Sequence, residues 1–81
     1  MQRTSAKTDD NHQLLALGHA IRARRKELDL SQEGLALRSG IDRSHMGRIE
    51  RGERNLTVLN LIRLCSALDY KPSELMAAAD L

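Results

Sequence analysis

Residues 40–55, GIDRSHMGRIERGERN, carry four arginines within twelve positions: Arg43, Arg48, Arg51 and Arg54. Like charges this close repel one another on a short helix, so their chemistry lies in what they can bind. The guanidinium group is a planar fork that donates in pairs to a phosphate or to guanine O6 and N7. At about 100° per residue, Arg43, Gly47, Arg51, Ser44 and Arg48 fall within an arc of roughly 140°. Met46 and Ile49 lie opposite, with His45 and Glu50 at the borders. Gly47 stands in the middle of the polar arc, where a helical glycine costs about 1 kcal/mol relative to alanine. Close approach to a bulky partner is one use for it. Arginines and a hydroxyl around a shallow centre suit the DNA major groove, which admits one helix. A solvated basic face is the competing reading, and the neighbouring elements must decide.

Those elements read as helices. Leu14, Gly18, Ile21, Arg25 and Leu28 recur at steps of three and four, with Leu17 broadening the stripe, which predicts a first helix over about 12–28. Ser31 is a suitable N-cap for a second helix of about eight residues, and Gly40 can end it in a left-handed turn. Ile41 plugs the connection, and Asp42 is predicted to cap a third helix that reaches about Arg51 before Gly52 stops it. Thr57 caps a fourth, with Val58, Leu61, Ile62, Cys65 and Leu68 as its stripe. Pro72 and Ser73 open a short fifth helix, SELMAAA. The polar, aperiodic residues 1–11 are expected to form a disordered arm, and residues 12–81 a single domain. The fold class is therefore all-α, a compact five-helix bundle whose second and third helices form a helix-turn-helix.

Composition narrows the function. There is no Phe or Trp and a single Tyr, so the core must be aliphatic. Thirteen basic and eleven acidic side chains nearly balance, which makes the local clustering of arginine the informative feature. One cysteine, Cys65, allows no internal disulfide and sits on an apolar stripe as a small core residue. No run approaches the roughly 18 apolar residues of a membrane helix, and the first residues lack an apolar signal region. A cytoplasmic protein that does not contact membranes is expected. His12, His19 and His45 lack metal-ligand spacing. No pocket for a catalytic set or a small-molecule ligand is indicated, so no enzyme activity, metal or cofactor is expected.

Two charges lie on apolar faces: Arg25 on the first helix and Glu50 at the border of the third. Either alone is expensive to bury. They can join as a bidentate pair between the two helices, or each can reach water along its own stem.

Over residues 12–76 the sequence resembles the Xre family, the phage-repressor and Cro type of helix-turn-helix protein. Gln32, Glu33, Ala36, Gly40, Ile41, Ser44, Met46, Ile49, Glu50, Gly52, Pro72 and Leu75 match the family pattern at its spacing. The resemblance implies a lambda-repressor-like bundle, a bacterial or phage origin, and pairing of Arg25 with Glu50. Gly47 stands where the family commonly has serine. DRSHMGRIERGERN thereby looks most like the controller proteins of restriction–modification systems, although His45 replaces their usual aromatic, so an operator identical to theirs is not implied.

The expected function is transcriptional regulation through double-stranded DNA with a pseudo-palindromic operator. Arg43, Ser44, His45 and Arg48 are the candidates for base edges, and Gln32, Arg51, Arg54 and Asn55 for phosphates. Leu68, Tyr70, Leu75 and Met76 near the C-terminus are the candidates for a homodimer interface, since a two-fold dimer spaces its recognition helices by about 34 Å. A controller would act on its own promoter. A phage-like repressor, an antitoxin, or a protein-interaction adaptor without DNA binding remain as alternatives.

Overall fold

The computed structural model describes Asp9 and residues 12–81, so the predicted arm at 1–11 lies, apart from Asp9, outside the described residues. Five helices follow in order: α1 (Gln13–Glu27), α2 (Gln32–Ser39), α3 (Arg43–Glu50), α4 (Val58–Ala67) and α5 (Pro72–Ala78). Each boundary has a local cause. The Asp9 carboxylate accepts the N–H groups of Gln13 and Leu14 at 2.9 and 2.8 Å, which satisfies donors that the first turn of α1 leaves open. Ser31 and Thr57 cap α2 and α4 through their hydroxyl oxygens. Asp42 stands at the N-cap of α3 but makes no side-chain cap. Its carboxylate instead accepts the Ser44 hydroxyl. Gly40 closes α2 with φ 73°. α1 and α4 are each followed by an aspartate with φ 55°, Asp29 and Asp69, a conformation that aspartate tolerates better than most residues.

The core is aliphatic. Ile21, Leu35, Met46, Leu64, Leu68 and Leu75 are fully enclosed, with Leu17, Ala20, Ala36, Ile41, Ile49, Cys65 and Ala79 around them. Ala36 and Ile41 are buried where α2 and α3 meet, Ile41 as the predicted plug. α3 rests on both α1 and α2, while α4 and α5 close the bundle from the other side.

Contact between α1 and the end of α3 is made backbone to backbone. A Cβ at Gly18 would stand 2.5 Å from the Glu50 carbonyl oxygen and 2.7 Å from that of Ile49. Gly52 is constrained twice: its φ is 74°, and a Cβ there would lie 2.7 Å from the Leu15 Cα. These two glycines let α1 reach α3 with no side chain between them.

α4 departs from its predicted stripe. Leu64, Cys65 and Leu68 are buried and Leu61 is half-buried, but Val58 is 71% exposed and Ile62 47%. On a wheel of about 100° per residue, Leu61, Leu64, Cys65 and Leu68 share one arc of about 100°, and Val58, Ile62 and Leu59 the adjacent one. The helix is apolar over more than half its circumference, and the fold covers only the first arc. The C-terminal end of α4 is held by charge. Arg24 Nε donates to the Leu68 carbonyl at 3.0 Å and its guanidinium lies 4.4 Å over the Tyr70 ring. Arg38 Nη1 donates to the Ala67 carbonyl at 3.3 Å. Both cations complement the negative end of the helix dipole.

Gly18→Ala is expected to lower stability by about 1–3 kcal/mol, the range for overpacking a close contact. Urea denaturation of the variant measures it. An unchanged midpoint would mean that the α1–α3 approach is looser than the structure has it.

Candidate nucleic-acid interface

Arg25 and Glu50 meet in the interior. Their residues are 8% and 4% exposed, which rules out the reading in which each side chain reaches water. Arg25 Nε donates to Glu50 Oε2 at 2.7 Å and Nη2 to Oε1 at 3.0 Å. The third guanidinium nitrogen, Nη1, donates to the Leu30 carbonyl at 2.8 Å. Gln32 Nε2 adds a further hydrogen bond to Glu50 Oε1 at 3.0 Å. Among the described residues no buried side-chain polar atom lacks a partner, so the desolvation of both charges is offset by direct bonds. One carboxylate on α3 thus ties α1, through Arg25, to α2, through Gln32.

This anchor fixes which way α3 faces. Met46 and Ile49 are buried with Glu50, and Arg43, Ser44, His45 and Arg48 are exposed on the other side. Arg51, Arg54 and Asn55 continue the exposed surface into the loop after α3. The four predicted base-edge residues therefore lie on one solvent-facing surface with three of the four predicted phosphate residues.

The fourth, Gln32, is only half-buried, and its amide is engaged with Glu50. Its Oε1 lies towards Gly47, 3.6 Å from where a Cβ would be. In the structure Gln32 joins the anchor to the polar front, and only its second amide hydrogen remains for a phosphate.

Gly47 differs from its predicted setting. The residue is buried, beneath Arg51 Nη1 and Arg43 Nη1, which would lie 3.2 and 3.6 Å from a Cβ. The shallow centre exists, but in the free protein guanidinium groups fold across it. The spacing could not reveal this, because it depends on where two long side chains turn. Ser44 donates its hydroxyl hydrogen to Asp42, which leaves oxygen lone pairs free to accept.

The C-terminal part of the predicted dimer set is corrected by burial. Leu68 and Leu75 are 0% exposed and belong to the monomer core, so neither is available to a second chain. Tyr70 and Met76 are half-buried against that core. Leu15, Leu37 and Leu81 are exposed singly, whereas Val58, Leu59 (71% exposed) and Ile62 lie together on one side of α4. The sequence signal for them was present in the doubled apolar arc of α4. It was missed because Val58 and Ile62 also fit a single stripe with Cys65.

No group of three His, Cys, Asp or Glu among the described residues could hold a metal ion, and no described helix is long and apolar enough to cross a membrane.

A capped helix, a tight glycine turn and a second helix displaying arginine to solvent define a helix-turn-helix protein. Comparison with known proteins agrees. The profile of the HTH_3 helix-turn-helix family matches residues 21–75. Control protein C.SmaI of Serratia marcescens is 42% identical over 60 residues, covering 74% of this chain and 71% of that protein. The crystal structure of the restriction–modification controller protein C.AhdI from Aeromonas hydrophila superposes with a TM-score of 0.75 at 47% identity, over 76% of this chain and 94% of that one. The biofilm regulator SinR, crystallised in complex with DNA, matches with a TM-score of 0.70 at 30% identity, over 74% and 97% of the two chains. The chain belongs to the HTH_3 helix-turn-helix family of DNA-binding transcription regulators, which are not enzymes, and it resembles the restriction–modification controller proteins within it.

Glu50→Ala is expected to cost about 3–5 kcal/mol, because it leaves the Arg25 guanidinium buried without its counter-charge. Arg48→Ala, at an exposed position, should stay within about 0.5 kcal/mol of the parent. Thermal melts of the two variants compare them directly, and equal small losses would remove the anchor from its place in the fold.

Proposed function

We propose that the protein is a homodimeric controller of restriction–modification type that binds a pseudo-palindromic operator in its own promoter, in the bacterial cytoplasm. The observation that carries this reading is the pairing of two surfaces on one small domain. α3 presents an exposed arginine front held in place by a buried ion pair, and α4 presents an apolar stripe that the monomer leaves uncovered.

Arg43, Ser44, His45 and Arg48 are assigned to base edges, since the first turns of a recognition helix reach deepest into the major groove. Arg43 and Arg48 suit guanine. Ser44, its hydrogen already given to Asp42, suits an amino group of adenine or cytosine. Arg51, Arg54 and Asn55 are assigned to phosphates, with the free hydrogen of Gln32 beside them. The similarity to SinR, a protein crystallised with DNA, and to named control proteins supports the assignment of DNA as the partner.

The dimer is assigned to Val58, Leu59 and Ile62, with Tyr70 and Met76 at its edge. A stripe of three large apolar side chains on one helix is a surface that a second copy can bury by two-fold symmetry. Such a protein regulates through its own concentration, because dimerisation and site occupancy both rise with it.

Two experiments test these roles. In competition assays on the DNA upstream of its own gene, Arg43→Ala is expected to relax base preference at one position, at a cost of about 1–3 kcal/mol. Arg54→Ala should weaken all sequences alike and reduce the salt slope by about one. The reverse pattern would exchange the two roles, and wild-type binding that ignores salt would remove DNA as the partner. For the dimer, Ile62→Glu is expected to give a folded monomer in sedimentation equilibrium at concentrations where the parent is dimeric. A dimer that survives the substitution would move the interface off α4.

A further inference from the structure

Glu53 takes no part in the contacts assigned above, yet it stands among the arginines after α3. Arg51 Nε donates to Glu53 Oε2 at 2.9 Å, and Nη2 lies 3.4 Å from Oε1. The pair uses the two-toothed geometry that a guanidinium would use on a phosphate. The third nitrogen of Arg51, Nη1, is turned back over Gly47. Both side chains are more than half exposed, at 59% and 52%, so nothing in the packing of the domain requires the pair. The hydrogen bond from Arg51 holds the Glu53 carboxyl below the usual carboxylate range, and the charges of Arg48 and Arg54 act in the same direction. Glu53 in turn raises the Arg51 guanidinium. The acid is therefore ionised at neutral pH, inside the field of three arginines of the interface.

We propose that Glu53 is a built-in competitor for DNA phosphate at Arg51, and that it sets the concentration at which the protein occupies its sites. The inference rests on the DNA-binding reading above and extends it. A phosphate that takes Arg51 must displace a carboxylate already seated there, exchanging one anion for another. In the counter-ion account of DNA affinity, an arginine that brings its own anion neutralises no phosphate, so the contact releases no net counter-ion. The effect does not depend on base sequence, so it lowers affinity for every site alike and leaves the preference between sites to α3. In a protein controlled by its own level, a uniform decrease raises the threshold for occupancy without changing which site fills first.

The test is fluorescence anisotropy on a mixed-sequence duplex of about three helical turns, with the full chain and the variants Glu53→Gln, Arg51→Ala and the double variant. Glutamine keeps the shape of the side chain and removes its charge. Glu53→Gln is expected to bind about two- to fivefold tighter, the span set by an exposed ion pair. Its dependence of log affinity on log salt should be steeper by about 0.9, one more phosphate neutralised. In the Arg51→Ala background the same substitution should give no comparable gain.

Equal or weaker binding by Glu53→Gln would overturn the proposal, since a carboxylate that aims Arg51 at the DNA would produce that result. A gain retained without Arg51 would also overturn it, by showing that the acid acts on the general field. A wild-type chain that fails to bind the duplex at low salt would sink the DNA reading as well. Salt-dependent wild-type binding with an indifferent Glu53→Gln would sink this inference alone.

Discussion

The Arg25–Glu50 pair is the constraint on which the functional surface depends. α3 is two turns long, too short to hold its own orientation, and its two apolar anchors Met46 and Ile49 leave rotation about the helix axis loosely set. A buried carboxylate with three hydrogen-bond donors from two other helices removes that freedom. Removing a buried ion pair in favour of apolar residues is often neutral for stability. Its value here lies in direction: the carboxylate must point inward to find its partners, so the opposite face, with Arg43 and Arg48, must point to solvent. The Arg25 bond to the Leu30 carbonyl extends the same network into the connection before α2.

Two glycines complete what the ion pair begins. Gly18 and Gly52 bring α1 against the last turn of α3 at distances that any Cβ would forbid. The C-terminal end of α3 is thus fixed by backbone contact and a salt bridge, while its N-terminal end is reached through the short α2–α3 turn. This leaves the exposed arginines mounted on a rigid base, distinct from the long side chains that extend from it. The distinction matters because reading base edges requires a fixed backbone, whereas phosphate contacts tolerate mobile side chains.

Much of this was legible in the sequence, for a definable reason. Helix periodicity, Ser31 and Thr57 as caps, and Gly40 as a stop are encoded by residue type at fixed spacing, and so is the two-sidedness of α3. The Arg25–Glu50 pair is one of two readings that the residues allow, and the one that the family resemblance implies. The features that were not legible depend on which surface another element happens to cover. Val58 and Leu64 are both apolar on α4, and only packing decides that Leu64 is enclosed and Val58 is exposed. Leu68 and Leu75 looked available at the C-terminal end, but α4 and α5 turn them inward. The Asp42 carboxylate fits the residue type of an N-cap, yet it binds the Ser44 hydroxyl. Arg24 and Arg38 hold the carbonyls at the end of α4 across sequence separations of 44 and 29 residues. No local pattern announces such contacts.

The two arcs of α4 follow from the same shortage that makes the core aliphatic. Without Phe or Trp, each core side chain buries less area, and a domain of this size gains correspondingly little from its own interior. An uncovered arc beside the buried one offers further apolar area, and a second copy is a source of cover that is always present. Stability and site spacing would then come from one surface. In the proposed dimer, the helix that supplies extra burial would also set the separation of the two α3 helices, so a chain without its partner would lose both the added burial and the geometry for two successive grooves. In that arrangement Leu59 and Ile62 bear on DNA affinity without approaching DNA, because what they fix is the distance between two arginine fronts.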